Sequence, residues 1–195
     1  MSSAPVDEAL GIDLALVRVL GQLSANLSTE LATVALSGLI LPAPEASAYY
    51  YGLSSGVVRE LQRNHNVTVF VFQDGPSETL VEASNTSLST TYLQTITITI
   101  LLAFRQVQHT PQTWFGKTSS TYDYAARRAA RYNGAISNVM RTKIKGDAGI
   151  VDVEKLSDAF GEWDQNEDNP GLMTYAVSTW QLMQAINVPD GCDEP

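Results

Sequence analysis

The stretch from Thr90 to Phe104, TTYLQTITITILLAF, constrains the fold more than any other part of the chain. Two rows of residues alternate within it, one of isoleucines and one of threonines: Ile96, Ile98 and Ile100, and Thr95, Thr97 and Thr99. Successive side chains of a strand point to opposite faces, so one face of this strand is apolar and the other wettable. The alternation predicts an antiparallel sheet with one face on a core and the other toward solvent or a lumen.

Further elements follow from composition and periodicity. NVTVFVFQDGP, rich in β-branched and aromatic residues, predicts a strand before a Gly-Pro turn, and ETLVEASNTSLS predicts a second strand. GIVDVEKLSDAFGEW and LMTYAVSTWQLMQAI predict two more strands near the C-terminus. Residues 56–64 predict a short helix. The order predicts an α+β fold, an antiparallel or mixed sheet with one main helix packed on it.

The main helix is predicted over YDYAARRAARYNGAISNVMRTKI, closed by Gly146. Its spacing places Tyr124, Arg128 and Arg131 on one side. Helical spacing groups the core-facing stripe on another side: Ala125, Ala129, Tyr132, Ile136, Val139 and Met140. The helix is therefore expected to pack on the sheet through small and aliphatic side chains.

The first 50 residues predict a helical appendage. Apolar residues recur at spacings of three and four, and we expect Gly21 or Asn26 to break the helix before a second one capped by Ser28. Pro42 and Pro44 then end helical structure and predict a hinge. We expect an appendage over residues 1–50, an α+β domain over 51–188 and an acidic tail over 189–195.

The net charge of −9 is unevenly distributed along the chain. Residues 117–146 carry a net charge of +6, residues 147–195 carry −10, and the preceding residues carry −5. A basic helix and an acidic C-terminal third are complementary surfaces for association between copies, although two solvated faces would explain the same pattern. The subunit-interface candidates are two loop aromatics, three helix arginines and three acids of the DQNEDNPG turn: Trp114, Phe115, Arg127, Arg128, Arg131, Asp164, Glu167 and Asp168.

The segment GLSSG matches G-x-S-x-G, the pattern of a nucleophile elbow that presents Ser54. A serine hydrolase is nevertheless a remote alternative, because no convincing central strand precedes the segment and no alternating parallel β-α pattern surrounds it. We interpret GLSSG as a turn that begins the next helix. The sequence predicts no enzyme activity and no catalytic residue.

Cofactor and metal motifs are not found in the sequence. It contains no glycine-rich phosphate loop and no H-E-x-x-H, and its two histidines are far apart. Cys192 is the single cysteine, which excludes an internal disulfide framework and favours folding in the cytosol. No apolar run is long enough for a transmembrane helix, and the N-terminus does not have the pattern of a secretory signal. We therefore expect no cofactor, no metal and no membrane partner.

From Gly56 onward the order of elements resembles the tail-terminator, or tail-completion, proteins of long-tailed bacteriophages. The resemblance runs through VVRELQRNHNVTVFVFQDGP and the long strand ending TITILLAF, and closes with NEDNPGLMTYAVSTWQLMQAI. It covers residues 56–188, and the first 50 residues depart from it. No catalytic residue is carried over.

The resemblance implies a virion structural protein, assembled in the host cytoplasm, that forms a ring, usually a hexamer. Such a ring ends growth of the tail tube and joins the tube protein to the head–tail connector and neck proteins. Thr95, Thr97 and Thr99 are the lumen-face candidates, and DNA would pass through the lumen without specific binding. Another virion neck or connector protein, or a non-viral α+β oligomerisation module, are the alternatives.

Overall fold

A computed structural model describes residues 8–35, 39–52, 65–74, 78–85, 89–105, 113–114, 117–118, 121–147, 149–163 and 173–189. Two helices and eight strands lie in these ranges. The elements in chain order are α1 (Glu8–Val34), a short 3-10 turn (Ala46–Ala48), β1 (Tyr49–Tyr51), β2 (Val67–Gln73), β3 (Glu78–Asn85), β4 (Ser89–Arg105), β5 (Thr113–Trp114), β6 (Lys117–Thr118), α2 (Thr121–Val139), a π-helical turn (Met140–Ile144), β7 (Ile150–Trp163) and β8 (Met173–Pro189).

One mixed sheet contains six of the strands. Five of them follow the order β1-β2-β4-β8-β7, and the sixth, β3, pairs with the first half of β4. The pairings are antiparallel except between β1 and β2, which run parallel. β5 and β6 form a separate two-stranded ladder. The predicted α+β class is therefore confirmed, as are the strands expected around the threonine-isoleucine stretch.

The alternation in β4 divides the sheet into two faces as predicted. Ile96, Ile98 and Ile100 have no exposed surface and belong to the hydrophobic core. Antiparallel partners share a face, so the core face continues through Trp180, opposite Ile98, and Leu182, opposite Ile96. Both helices pack on this face, since their buried side chains belong to the same core.

α1 is one continuous helix, not two. Its buried stripe follows the helical period, and the stripe lies in the same core as the sheet: Ala15, Leu16, Val19, Leu23, Leu27 and Leu31. The expected break at Gly21 or Asn26 is wrong, because Gly21 lies on the exposed face, where a glycine costs only about 1 kcal/mol relative to alanine. Ser28 is likewise an exposed residue inside the helix rather than a cap.

α2 runs antiparallel to α1, since Glu30 contacts Asn138 whereas the earlier Gln22 contacts the later Asp147, and α2 ends in a wider turn. The predicted core-facing stripe is confirmed, since Ala129, Tyr132 and Ile136 have no exposed surface. The Lys145 amide donates to the carbonyl of Met140 at 3.2 Å, which closes the π-helical turn. Gly146 follows at φ 85°, a left-handed conformation that favours glycine and ends the helix.

The proline-containing connector between α1 and β1 is fastened to α2. The Tyr124 hydroxyl accepts a hydrogen bond from the Ile40 amide at 3.1 Å. Two helical turns further along α2, the Tyr132 hydroxyl donates to the Pro42 carbonyl at 2.8 Å. Pro44 and Leu39 are buried. The segment predicted as a hinge is thus held by two backbone contacts.

Candidate functional site

The face of the sheet opposite the helices is polar around the middle of β4. Its members come from three strands and are called the polar face: Thr95, Thr97, Thr99, Glu154, Ser157, Thr179 and Gln181. The registers pair Thr97 with Gln181 and Gln181 with Glu154, so the three strands contribute one continuous surface. One exposed apolar side chain, Met183, lies on the same face opposite Thr95. The predicted lumen-face candidates therefore share one face and lie away from the core.

The three threonines differ in exposure. Thr95 and Thr97 are half-buried, whereas Thr99 is only 4% exposed. The Thr99 hydroxyl donates to Asp74 Oδ2 at 2.8 Å and lies 3.2 Å from the Thr179 hydroxyl. The Asp74 amide also donates to the Thr97 carbonyl at 2.9 Å, so β2 is tied to β4 where it ends. Thr99 thus holds the sheet together, and Thr95 and Thr97 present hydroxyl groups at the surface.

The strands of the polar face contribute no described cation to it, and one lysine of the turn after α2 lies at its edge. Along β2, β4, β7 and β8, no described lysine or arginine shares the face between Thr91 and Ala103, while Asp152 and Glu154 do. The Lys145 ammonium, 2.7 Å from Asp152 Oδ1, lowers the pKa of that carboxyl, with a further contribution from the backbone hydrogen bond of Val153. The surface is therefore rich in hydroxyl and carboxylate groups and would not attract a polyanion.

Beyond Thr99 the same side of the sheet becomes apolar. Leu101 pairs with Val177 on β8 and with Phe70 on β2. Phe70 is 1% exposed and stacks on Tyr50 with ring centroids 5.6 Å apart. The hydroxyl-rich surface is consequently limited to the half of β4 that contains the threonine row.

The three arginines predicted as interface candidates lie in different surroundings. Arg127 and Arg131 are half-buried on the outer side of α2. Arg128 is 1% and Tyr124 4% exposed, so the helix side on which the spacing groups them with Arg131 is buried at these two positions. The Arg128 guanidinium donates from Nη1 to the Arg105 carbonyl at 3.0 Å and lies 4.6 Å from the Phe104 ring centroid. This arginine acts inside its own chain, through cation–π and hydrogen-bond contacts.

Arg127 and Arg131 lie on the opposite side of the sheet from the polar face, because α2 covers the core face of the sheet. A ring that turned the threonine row toward its axis would therefore turn Arg127 and Arg131 outward. No sequence pattern reveals this relation, because it depends on which face α2 covers.

Several other candidates lie outside the described residues. Phe115, Asp164, Glu167 and Asp168 are among them, and only the backbone of Trp114 is described, within β5. Their roles as interface residues stay predictions.

Ser54 is also outside the described residues. The described flank ends at Gly52, which has φ 79° and donates its amide to the Val71 carbonyl at 2.9 Å.

His65, near the start of β2, contacts the segment around β1. His65 Nδ1 lies 3.3 Å from Glu45 Oε2, and His65 Nε2 lies 3.2 Å from the Tyr50 hydroxyl. β1 was not predicted; it adds to β2 in parallel, and its three tyrosines would have been the signal.

The sheet ends in two lateral edges that the sequence did not single out. At one edge, β7 exposes Val151, Leu156 and Phe160. At the other, Tyr51 donates a hydrogen bond to Asp13, which raises the pKa of the tyrosine. A cavity of about 170 Å³ opens beside this contact, lined by Ile12, Asp13, Leu16, Tyr51, Gly52, Phe72 and Gln73. The alternation of apolar and charged residues in β7 was the available sequence signal for the first edge.

The described ranges contain no group of three or more side chains that could hold a metal ion. None of the helices described is long and apolar enough to cross a membrane.

No protein-family profile and no curated protein sequence matches the chain. A chain in the solved structure of the virion of a native gene transfer agent (GTA) particle is similar to it at 13% sequence identity. The match covers 86% of this chain and 98% of that chain, with a TM-score of 0.30. A similarity this weak says nothing about function.

Proposed function

We propose that this protein is a virion structural protein of the tail-terminator kind, which assembles into a ring, most simply a hexamer. In the ring the polar face lines the lumen. The observation that carries the proposal is a sheet whose hydroxyl-rich face, to which its own strands contribute no described cation, lies opposite a face covered by helices. The order of elements that resembles the tail-terminator proteins supports the same assignment.

The chemistry of the polar face suits the passage of DNA. Hydroxyl groups of Thr95 and Thr97 keep the surface hydrated, and the exposed carboxylate of Glu154 repels phosphates. Binding of DNA by proteins depends on lysine and arginine side chains that neutralise phosphates, and the strands of this face contribute none among their described residues. A lumen of this kind conducts DNA without retaining it.

Assembly is tested with the purified full chain. Analytical ultracentrifugation over a concentration series, followed by negative-stain electron microscopy, is expected to show a closed ring with one dominant subunit number. Mixing the ring with a cognate tail tube protein should produce tubes capped at one end. A chain that stays monomeric at all concentrations, in the presence and absence of tube protein, overturns the proposal.

The orientation of the polar face is tested by adding charge to it. Thr97→Lys places a cation on the polar face, whereas Thr142→Lys places one on the exposed turn after α2. In rings, Thr97→Lys is expected to retain double-stranded DNA in a gel-shift assay, and wild type and Thr142→Lys are not. Equal retention by the two variants would contradict a lumen lined by this face.

A further inference from the structure

We propose that the two lateral edges of the sheet form the two halves of one contact between copies of this chain. In this contact the β7 edge of one copy packs against the α1–β1 edge of the next. The β7 edge comprises Val151, Leu156 and Phe160, and the α1–β1 edge comprises Val17 and Tyr51. The inference rests on the proposed ring and specifies which surfaces close it.

The sheet order places these surfaces at opposite ends of the molecule. β1 is the first strand of the path and β7 the last. A contact between two different surfaces is heterologous, and it closes into a ring when the rotation between copies permits. Lateral contact also leaves the polar face free for the lumen and α2 on the outside.

Exposed apolar side chains are concentrated at these two edges. Eight large hydrophobic residues are exposed among the described ones, and five of them are the edge residues just defined. Val17 lies one helical turn after Asp13, the residue that accepts the Tyr51 hydrogen bond, so helix and strand present one surface. Apolar side chains gathered at two sites rather than scattered mark interaction surfaces.

β7 is built to make contact through side chains rather than through backbone pairing. The ladder with β8 shifts register between Ile150 and Asp152 and between Lys155 and Ser157. Val151 and Leu156 are the extra residues at these two bulges, and they are 51% and 49% exposed. Bulges and charges hinder the addition of another strand to an edge. The bulges therefore turn apolar side chains outward while protecting the backbone.

The cavity at the α1–β1 edge matches an aromatic side chain in size. Its volume is about 170 Å³, and Leu16, Ile12 and Phe72 contribute apolar surface to it. A cavity of about 150 Å³ accommodates a benzene ring. Phe160, which is 38% exposed at the opposite edge, carries a ring of that size.

The test combines charge insertion with cross-linking. Leu156→Asp and Val17→Asp each add a carboxylate to one edge at exposed positions, so folding is expected to be unchanged by circular dichroism. Ile40→Asp is the matched control, since Ile40 is 59% exposed but lies where the connector meets α2. Each edge variant is expected to raise the concentration for half-maximal assembly by about tenfold or more, equivalent to about 1.4 kcal/mol, and the control is not.

Cross-linking identifies the partner edges directly. In a Cys192→Ser background, Leu156→Cys combined with Val17→Cys should give oxidised products up to the size of the ring, whereas Leu156→Cys combined with Ile40→Cys should not. If wild type forms rings, both aspartate variants assemble as wild type does and no specific cross-link forms, this contact is overturned and the proposed ring is not. A monomeric wild-type chain overturns the ring and the contact together.

Discussion

Gln184 donates from its side-chain Nε2 to the Oε1 of Gln94 at 2.7 Å, and both amides are buried beneath the start of α1. The same nitrogen donates to the Gly11 carbonyl at 2.9 Å. Two neighbouring strands and the first helix are therefore joined by one pair of side-chain amides. Such a contact is sensitive to sterics, because buried polar groups that lose a partner are destabilising by about 1–3 kcal/mol.

Gly11→Ala is expected to destabilise the protein by about 1–3 kcal/mol, because a methyl group would crowd this site. A Cβ on Gly11 would lie 2.5 Å from Gln94 Oε1 and 3.0 Å from Gln184 Nε2. Gly21→Ala is the matched control, since a Cβ there meets nothing within 4 Å and alanine favours the helix by about 0.5–1 kcal/mol. Urea unfolding should therefore show opposite signs for the two changes, and equal effects would contradict the packing at Gly11.

Tyr132 links stability to alkaline pH. Burial raises its pKa from the ordinary value of 10.0 to about 12, against a smaller opposing effect of Arg128. The folded state therefore keeps this contribution fully below pH 10 and loses it as the pH rises from about 10 to about 12, a difference of about 3 kcal/mol. Burial likewise raises the pKa of Tyr49 to about 12.

Tyr132→Phe removes the ionisable group and the hydrogen bond to the Pro42 carbonyl together. We expect a loss of about 1 kcal/mol at pH 7 and a shallower fall in stability above pH 10 than in wild type. Denaturant unfolding at pH 7, 9, 10 and 11 measures both effects. Parallel pH profiles for the two proteins would show that Tyr132 does not contribute to the alkaline transition.

Two substitutions of Arg128 distinguish how much its packing and its charge each contribute to stability. Among the described residues its Nε and Nη2 have no hydrogen-bond partner, although the guanidinium packs on Phe104. Arg128→Ala should cost about 2–4 kcal/mol, since it removes the packed side chain and the donor to the Arg105 carbonyl. Arg128→Met keeps most of the volume without a buried charge, so it should cost less than half as much. Thermal unfolding compares them, and an equal loss would show that the charge itself stabilises the fold.

Removal of residues 1–50 tests whether the first helix is a separate appendage. The deletion uncovers the core face of the sheet, because the buried stripe of α1 packs there. We expect the remaining chain to lose cooperative unfolding and to bind a hydrophobic dye, and a peptide of residues 1–50 added in trans to restore both properties. A shortened chain that unfolds cooperatively by itself would support an independent domain over residues 51–188.

Local patterns predicted the elements whose burial follows their own periodicity. The isoleucine-threonine alternation of β4 and the stripe of α2 are examples, since each pattern reports the face that meets the core. Contacts distant in sequence were not predictable in this way. Arg128 is buried because Phe104 and the Arg105 carbonyl lie beneath it, and α1 continues past Gly21 because its opposite side packs on the sheet.

The candidate site was likewise predictable only where a local pattern reports it. The threonine row follows from period two, but its separation from Arg127 and Arg131 depends on which face α2 covers. The cavity beside Tyr51 depends on a parallel pairing between β1 and β2, and a three-residue strand gives little local signal.

The ladder between β4 and β8 also has a mechanical consequence. It runs without a register shift from Ser89, opposite Pro189, to Arg105, opposite Met173. Inter-strand hydrogen bonds lie perpendicular to the strands, so a pull along the strand axis loads the whole ladder in shear rather than one bond at a time. The sheet is therefore stiffest along the strand axis at its centre. A force transmitted along β4 would be shared over all 17 residues of the strand.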